Sequence, residues 1–180
     1  MAIKTFTTGE LLTAADTNTY LANSGLVYVK SQTIGSAVTS VVVSSAFSAD
    51  FDNYKIIISG GSSVSNVNLA MQFGAKTTNY KYQLIYASWN NTISVLGSTV
   101  AGSIVYAANA TTSGIFANIE VVTPFDSTKN TFMSSVFNSP TEAGPLVGQT
   151  ADTVSYTAFT IISSSAMTGG TITVYGYRKA

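Results

Sequence analysis

Asp50 and Asp52, in the stretch SADFDN, are the only acids close enough in sequence to work as a pair. A glycosidase needs two carboxylates about 5–10 Å apart, and alternate residues of a strand share a face at a separation of about 7 Å. The spacing permits that chemistry, but residues 48–53 have the composition of a turn entering a strand, and only Lys55 is near enough to tune a carboxyl. With Asn53 the same stretch offers oxygens to Ca²⁺, yet it lacks the acid-dense, glycine-turned loop of a dedicated site. Gly60-Gly61-Ser62-Ser63 is followed by neither Lys-Ser/Thr nor a helix start, so it reads as a hairpin loop and not as a phosphate cradle. The chain contains no histidine and no cysteine, which removes imidazole bases, thiolate nucleophiles and the usual zinc ligands. The expectation is a protein that is not an enzyme and carries no cofactor and no metal.

Aromatic residues are the stronger signal. Tyr80, Tyr82, Tyr86 and Trp89 crowd the segment NYKYQLIYASWNN, and alternation puts Tyr80, Tyr82, Leu84 and Tyr86 on one face of a strand. Flat rings beside the amides of Gln83, Asn90 and Asn91 suit a sugar, whose C–H face a ring covers while amides bond its hydroxyls. A row of tyrosines also suits a subunit interface, and a plain core face would show the same alternation. The interface is the favoured reading.

Composition points the same way. Charged residues make up 9% of the 180 residues, against roughly 25% in ordinary soluble domains, and eight basic residues cancel eight acidic ones. Such a chain has no field to hold nucleic acid. With 46% apolar residues and no net repulsion between copies, burial in an assembly is expected. No basic stretch precedes an apolar core at the N-terminus, and no run approaches the roughly 18 apolar residues of a membrane helix, so no membrane role is expected.

The elements that would position these groups divide near residue 30. Thr13-Ala14-Ala15-Asp16 has the form of a capping box, with the hydroxyl accepting from a first-turn N–H and the acid reaching back. It opens a short helix that Gly25 closes. Leu11, Leu12, Tyr20 and Leu21 give this segment an apolar side that needs a partner surface, its own body or another. Burying two or three such side chains contributes on the order of 4–8 kcal/mol before ordering costs. Beyond Gly25 the period falls to two. Strands are expected at 26–29, 39–43, 54–58, 67–73, 81–87, 100–106, 115–121, 131–137, 154–162 and 172–177, with turn or loop compositions at 108–110, 124–130, 139–148 and 168–170. The organisation expected is an anchor at residues 1–30 and a head at 31–180, all-β, an antiparallel β-sandwich or jelly roll preceded by a short helix. No repeat or heptad provides a shaft.

The opening FTTGELLTAADTNTYL, residues 6–21, resembles the N-terminal motif of tailed-bacteriophage virion structural proteins, in which a Phe-x-x-Gly-Glu-x-Leu-Thr-Ala-Ala-Asp-x-Asn-x-Tyr-Leu pattern precedes a β-rich head. The closing GTITVYGYR, residues 170–178, is similar to the last strand of such heads. The resemblance covers the two ends of the chain and matches the middle only in style. It implies a virion-surface protein assembled in the bacterial host cytoplasm, either a tail fibre-like or minor tail appendage or a head decoration (cement) protein. It implies docking to capsid or tail proteins through Phe6, Leu11, Leu12, Thr13, Asp16, Tyr20 and Leu21, and self-association as a homotrimer. Nothing catalytic comes with it. The alternative is a carbohydrate-binding adhesin touching host glycans through Tyr82 to Asn91.

Overall fold

The structure is a computed structural model and describes residues 7–16 and 25–179. Phe6, Tyr20 and Leu21 lie outside the described residues. One helical turn, α1 (Ala14–Asp16), precedes thirteen strands among the described residues: β1 (Leu26–Thr33), β2 (Val38–Val43), β3 (Phe51–Ser59), β4 (Ser62–Ser63), β5 (Val67–Phe73), β6 (Tyr80–Ser88), β7 (Ile93–Ala101), β8 (Ile104–Ala110), β9 (Ile115–Val122), β10 (Phe132–Asn138), β11 (Glu142–Thr150), β12 (Phe159–Thr168) and β13 (Thr171–Arg178). Every pairing is antiparallel. The protein is all-β and sandwich-like.

The larger layer runs β1-β13-β3-β9-β10-β11-β6-β7, and the smaller runs β2-β12-β5-β8 with β4 at the end of β12. They join at one corner, where Asn109 pairs Phe116 and Ala110 pairs Ile115. Alternation explains what each strand buries. Tyr54, Ile56 and Ile58 of β3, Ile119 and Val121 of β9, and Ile172 and Val174 of β13 face inward from the larger layer, opposite Val41, Val43, Leu69, Met71, Phe73, Phe159 and Ile161 of the smaller. Each fully buried side chain of this size contributes roughly 1.5–3 kcal/mol. Phe47, between β2 and β3, fills one end of the core, its ring 4.8 Å from Tyr54 and 5.7 Å from Phe159.

The Gly60-Gly61 corner differs from the hairpin expected there. β3 and β5 belong to different layers, so the chain crosses between them, and Ser62 and Ser63 pair with Thr168 and Met167. The corner packs on the β12–β13 turn so closely that a Cβ on Gly61 would lie 2.1 Å from the Gly169 carbonyl oxygen, at a backbone φ of +71°. Only glycine satisfies both demands. β1 pairs with β13 from Leu26 to Thr33, so the residues on both sides of position 30 belong to one strand of the larger layer.

Three strand assignments change for physical reasons. Residues 100–106 form no single strand, because Gly102 and Ser103 turn β7 into β8. Residues 139–148 look like loop from their Gly and Pro, yet they carry β11. Its ladder to β6 is interrupted between Ala143 and Leu146, beside Pro145, which has no N–H to give. Residues 154–158 are irregular and the strand begins only at Phe159, since Tyr156 is drawn off to bond Asp152.

Candidate interaction surface

The capping box forms as its residues dictate. The Thr13 hydroxyl accepts from the Asp16 N–H at 3.1 Å, while Asp16 Oδ2 accepts from the Thr13 N–H at 3.2 Å and from its hydroxyl at 2.6 Å. This satisfies donors at the start of α1 locally. Leu11, 85% exposed, and Leu12, 54% exposed, stand just before it. Their apolar surface is not used by the head.

The aromatic strand is divided by the pleat. Tyr80 belongs to the core, which corrects its assignment to an interface or glycan surface: it is fully buried, its hydroxyl accepting from the Phe73 N–H at 2.7 Å and donating to the Lys76 carbonyl at 3.1 Å. Burial pushes its pKa up to about 12. Tyr82 and Tyr86 face the same way and pack against the core but are only half-buried, although Leu84 between them is fully buried. An irregularity in the β5–β8 ladder turns Tyr106 into the left-handed region, φ +67°, and its ring lies 6.4 Å from Tyr82 and 5.4 Å from Phe137. Burial raises the Tyr106 phenol, helped by Tyr82, Glu142 and Tyr86. Trp89, Asn90 and Asn91 form the β6–β7 turn instead, with Trp89 63% exposed and its indole N–H donating to the Ser139 carbonyl at 3.3 Å. The structure therefore separates the predicted set into a core residue, two half-buried tyrosines and an exposed turn.

Asp50 and Asp52 do not line a common depression: Asp52 lines one of about 200 Å³ with Asp126 and Lys179, and Asp50 lines another. Asp50 accepts from the Ser48 hydroxyl in a turn, and Asp52 pairs with Lys179 at 2.9 Å. Hydrogen bonds from Lys129 and Thr128 hold Asp126 well below the usual carboxylate range. Burial pushes Asp152 up, but Lys76 at 2.6 Å and the Tyr156 hydroxyl at 2.7 Å outweigh it and leave the carboxyl lowered. Asp126 and Asp152 are thus acids held charged. Among the described residues no cluster of three or more acids could hold a metal ion.

The surface that sequence reasoning missed is the outward face of β9, β10, β11, β6 and β7. Register places Val136, Pro145, Ile85 and Val95 in one row across four strands, with Val136 69% and Ile85 55% exposed. The next row is Asn138, Ala143, Ala87 and Ile93, and on the other side come Ser134, Val147, Gln83 and Gly97. A fourth row, Val122, Phe132, Gln149 and Lys81, brings the first charge on β10, β11, β6 and β7, while on β9 Glu120 stands beside Ser134 in the row before it. Between the last two rows lies a shallow depression of about 350 Å³, lined mainly by Phe132, Val147, Gln83 and Thr99. Among the described residues β7 pairs only with β6, which leaves its other edge open. Its sequence ISVLGSTVA carries no charge and no proline, the usual protections of an edge. The odd-numbered residues of 81–87, weighed against their even neighbours, would have given the signal: Ile85 is as apolar as Leu84.

No protein-family model, curated protein or solved structure matches the chain.

Proposed function

We propose that this chain is a non-enzymatic structural subunit of a tailed-bacteriophage particle, a surface appendage of tail fibre or head-decoration type that docks through its N-terminal segment and assembles as three copies. The opening motif carries the reading. The observation that supports it is the pairing of a formed cap at Thr13–Asp16 with Leu11 and Leu12 left exposed, an apolar face offered to a groove on another protein. A lid on its own sandwich would bury those leucines. The test is the double variant Leu11→Glu/Leu12→Glu in the full chain. It should fold and melt as the parent does but fail to co-purify with phage particles; incorporation at the parental level would defeat the proposal.

A second reading, a glycan-binding adhesin, is favoured by one observation: Trp89, Asn90 and Asn91 are all exposed in a single turn. That narrows the sugar surface to the turn and leaves Tyr80 out. Binding on a glycan array that disappears in Trp89→Ala supports it; an array with no bound sugar rejects it.

A further inference from the structure

We infer that the outward face of β10, β11, β6 and β7 is the surface by which copies of this chain pack on one another. The inference rests on the self-assembling part of the proposed function and names the face responsible. The row Val136, Pro145, Ile85, Val95 is apolar and uncharged, and Ile93 and Val147 extend it on either side. Val136, Ile85, Val95, Ile93 and Val147 are each more than half exposed, and a contiguous apolar patch of this kind marks an interaction site.

A second copy is the occupant these features fit. A pleated apolar face packs on apolar surface of the next copy at the roughly 10 Å spacing of stacked sheets, and three such contacts repeated about one axis close a ring. The row has no charge with which to select a different partner, and the zero net charge leaves no long-range repulsion between copies. The open edge of β7 continues the face, and the outward N–H and C=O groups of alternate residues along this nine-residue strand adjoin the same contact.

The experiment uses the full chain. Light scattering should give a multiple of the single-chain mass of 18.8 kDa, and Val136→Glu and Ile85→Lys should each return a folded chain of single-chain mass, with association weakened about 100-fold or more. Because a charged variant can fail to fold, Val136→Cys serves as a conservative probe in a chain with no other thiol. Its thiol should react with maleimide at least about tenfold more slowly than that of Val42→Cys, which lies on the outside of the smaller layer. Single-chain mass for the parent at every concentration, an undiminished multiple in both charged variants, or equal labelling of the two thiols would each overturn the inference. Leu11→Glu/Leu12→Glu should leave the mass unchanged. A chain that assembles by this face but never enters particles defeats the phage reading alone, whereas one that enters particles as separate single copies defeats the inference alone.

Discussion

The two layers are alike on the inside and unlike on the outside. Inward, both carry Ile, Val, Leu, Met and aromatic residues at every second position. Outward, the smaller layer presents Val42, Thr160 and Gln72 in one row and Ser40, Ile162 and Ala70 in the next. The larger layer presents Val136, Pro145, Ile85 and Val95. Folding constrains the inward set, since those residues form the core, but it leaves the outward set open. A mixed outer face such as the smaller layer's needs no further explanation. An apolar one points to something that covers it.

Strand β6 allows the sharpest break of this comparison, because neighbouring residues point to opposite sides. Leu84 is fully buried and Ile85 is not. Leu84→Ala should have the largest effect, lowering folding stability by about 2–5 kcal/mol through lost burial and the cavity left behind, measured by urea unfolding. Ile85→Ser should leave the folding of a single chain nearly unchanged and weaken association by roughly 10–100-fold, the equivalent of burying one such side chain. Sedimentation across a dilution series reads that difference. Val42→Ser, on the smaller layer, should do neither. If Ile85→Ser and Val42→Ser behave alike, the two outer faces are equivalent and the contrast fails.

The inside of this molecule was legible from period two alone, and the outside was not. Val67 to Phe73 and Tyr54 to Ile58 bury the residues that alternation assigns, because one buried face per strand is the whole rule. β11 escaped because Gly144, Pro145 and Gly148 look like loop chemistry. In the sheet, a Cβ on Gly148 would meet Ile104 at 2.8 Å, so close packing demands glycine there. β7 escaped because its alternation lacks a polar side: Ile93, Val95, Leu96 and Val100 fall on both faces, all substantially exposed. For the tyrosines, sequence could show that Tyr80, Tyr82 and Tyr86 share a face. It could not show that Tyr80 and Leu84 are fully buried while Tyr82 and Tyr86, on the same face, are only partly covered.

Tyr80 provides a smaller test on the inward side of the same strand. Tyr80→Phe leaves the Phe73 N–H and the Lys76 carbonyl without their partner, which should cost about 1–2 kcal/mol. The pH dependence follows from its phenol, raised to about 12 by burial against about 10 in an unfolded chain. The neutral form is favoured by folding, so the contribution is complete below about pH 10 and is lost as pH rises through about 12. Melting temperature followed over that alkaline window should fall in the parent and fall less steeply in Tyr80→Phe. Parallel curves would mean that Tyr80 does not titrate with unfolding, while association by the outer face should be untouched by the substitution.

The smallest expected effect separates the two surfaces assigned to this chain, the outer face and the N-terminal segment. Thr13→Ala removes the hydroxyl that accepts from the Asp16 N–H, and loss of such a cap costs about 1 kcal/mol. Short helices are marginal in water without tertiary contacts, so the cap acts mainly on the docked state, where the segment is ordered against a partner. Attachment to particles should therefore weaken by roughly fivefold, read by co-sedimentation at limiting protein. The head should keep its melting temperature, because Thr13 is exposed and precedes every strand, and the self-associated mass should stay as it was. A fall in melting temperature with attachment unchanged would place α1 among the elements that stabilise the head. A fall in self-associated mass would instead make the segment part of the contact between copies, and the two surfaces would then be one.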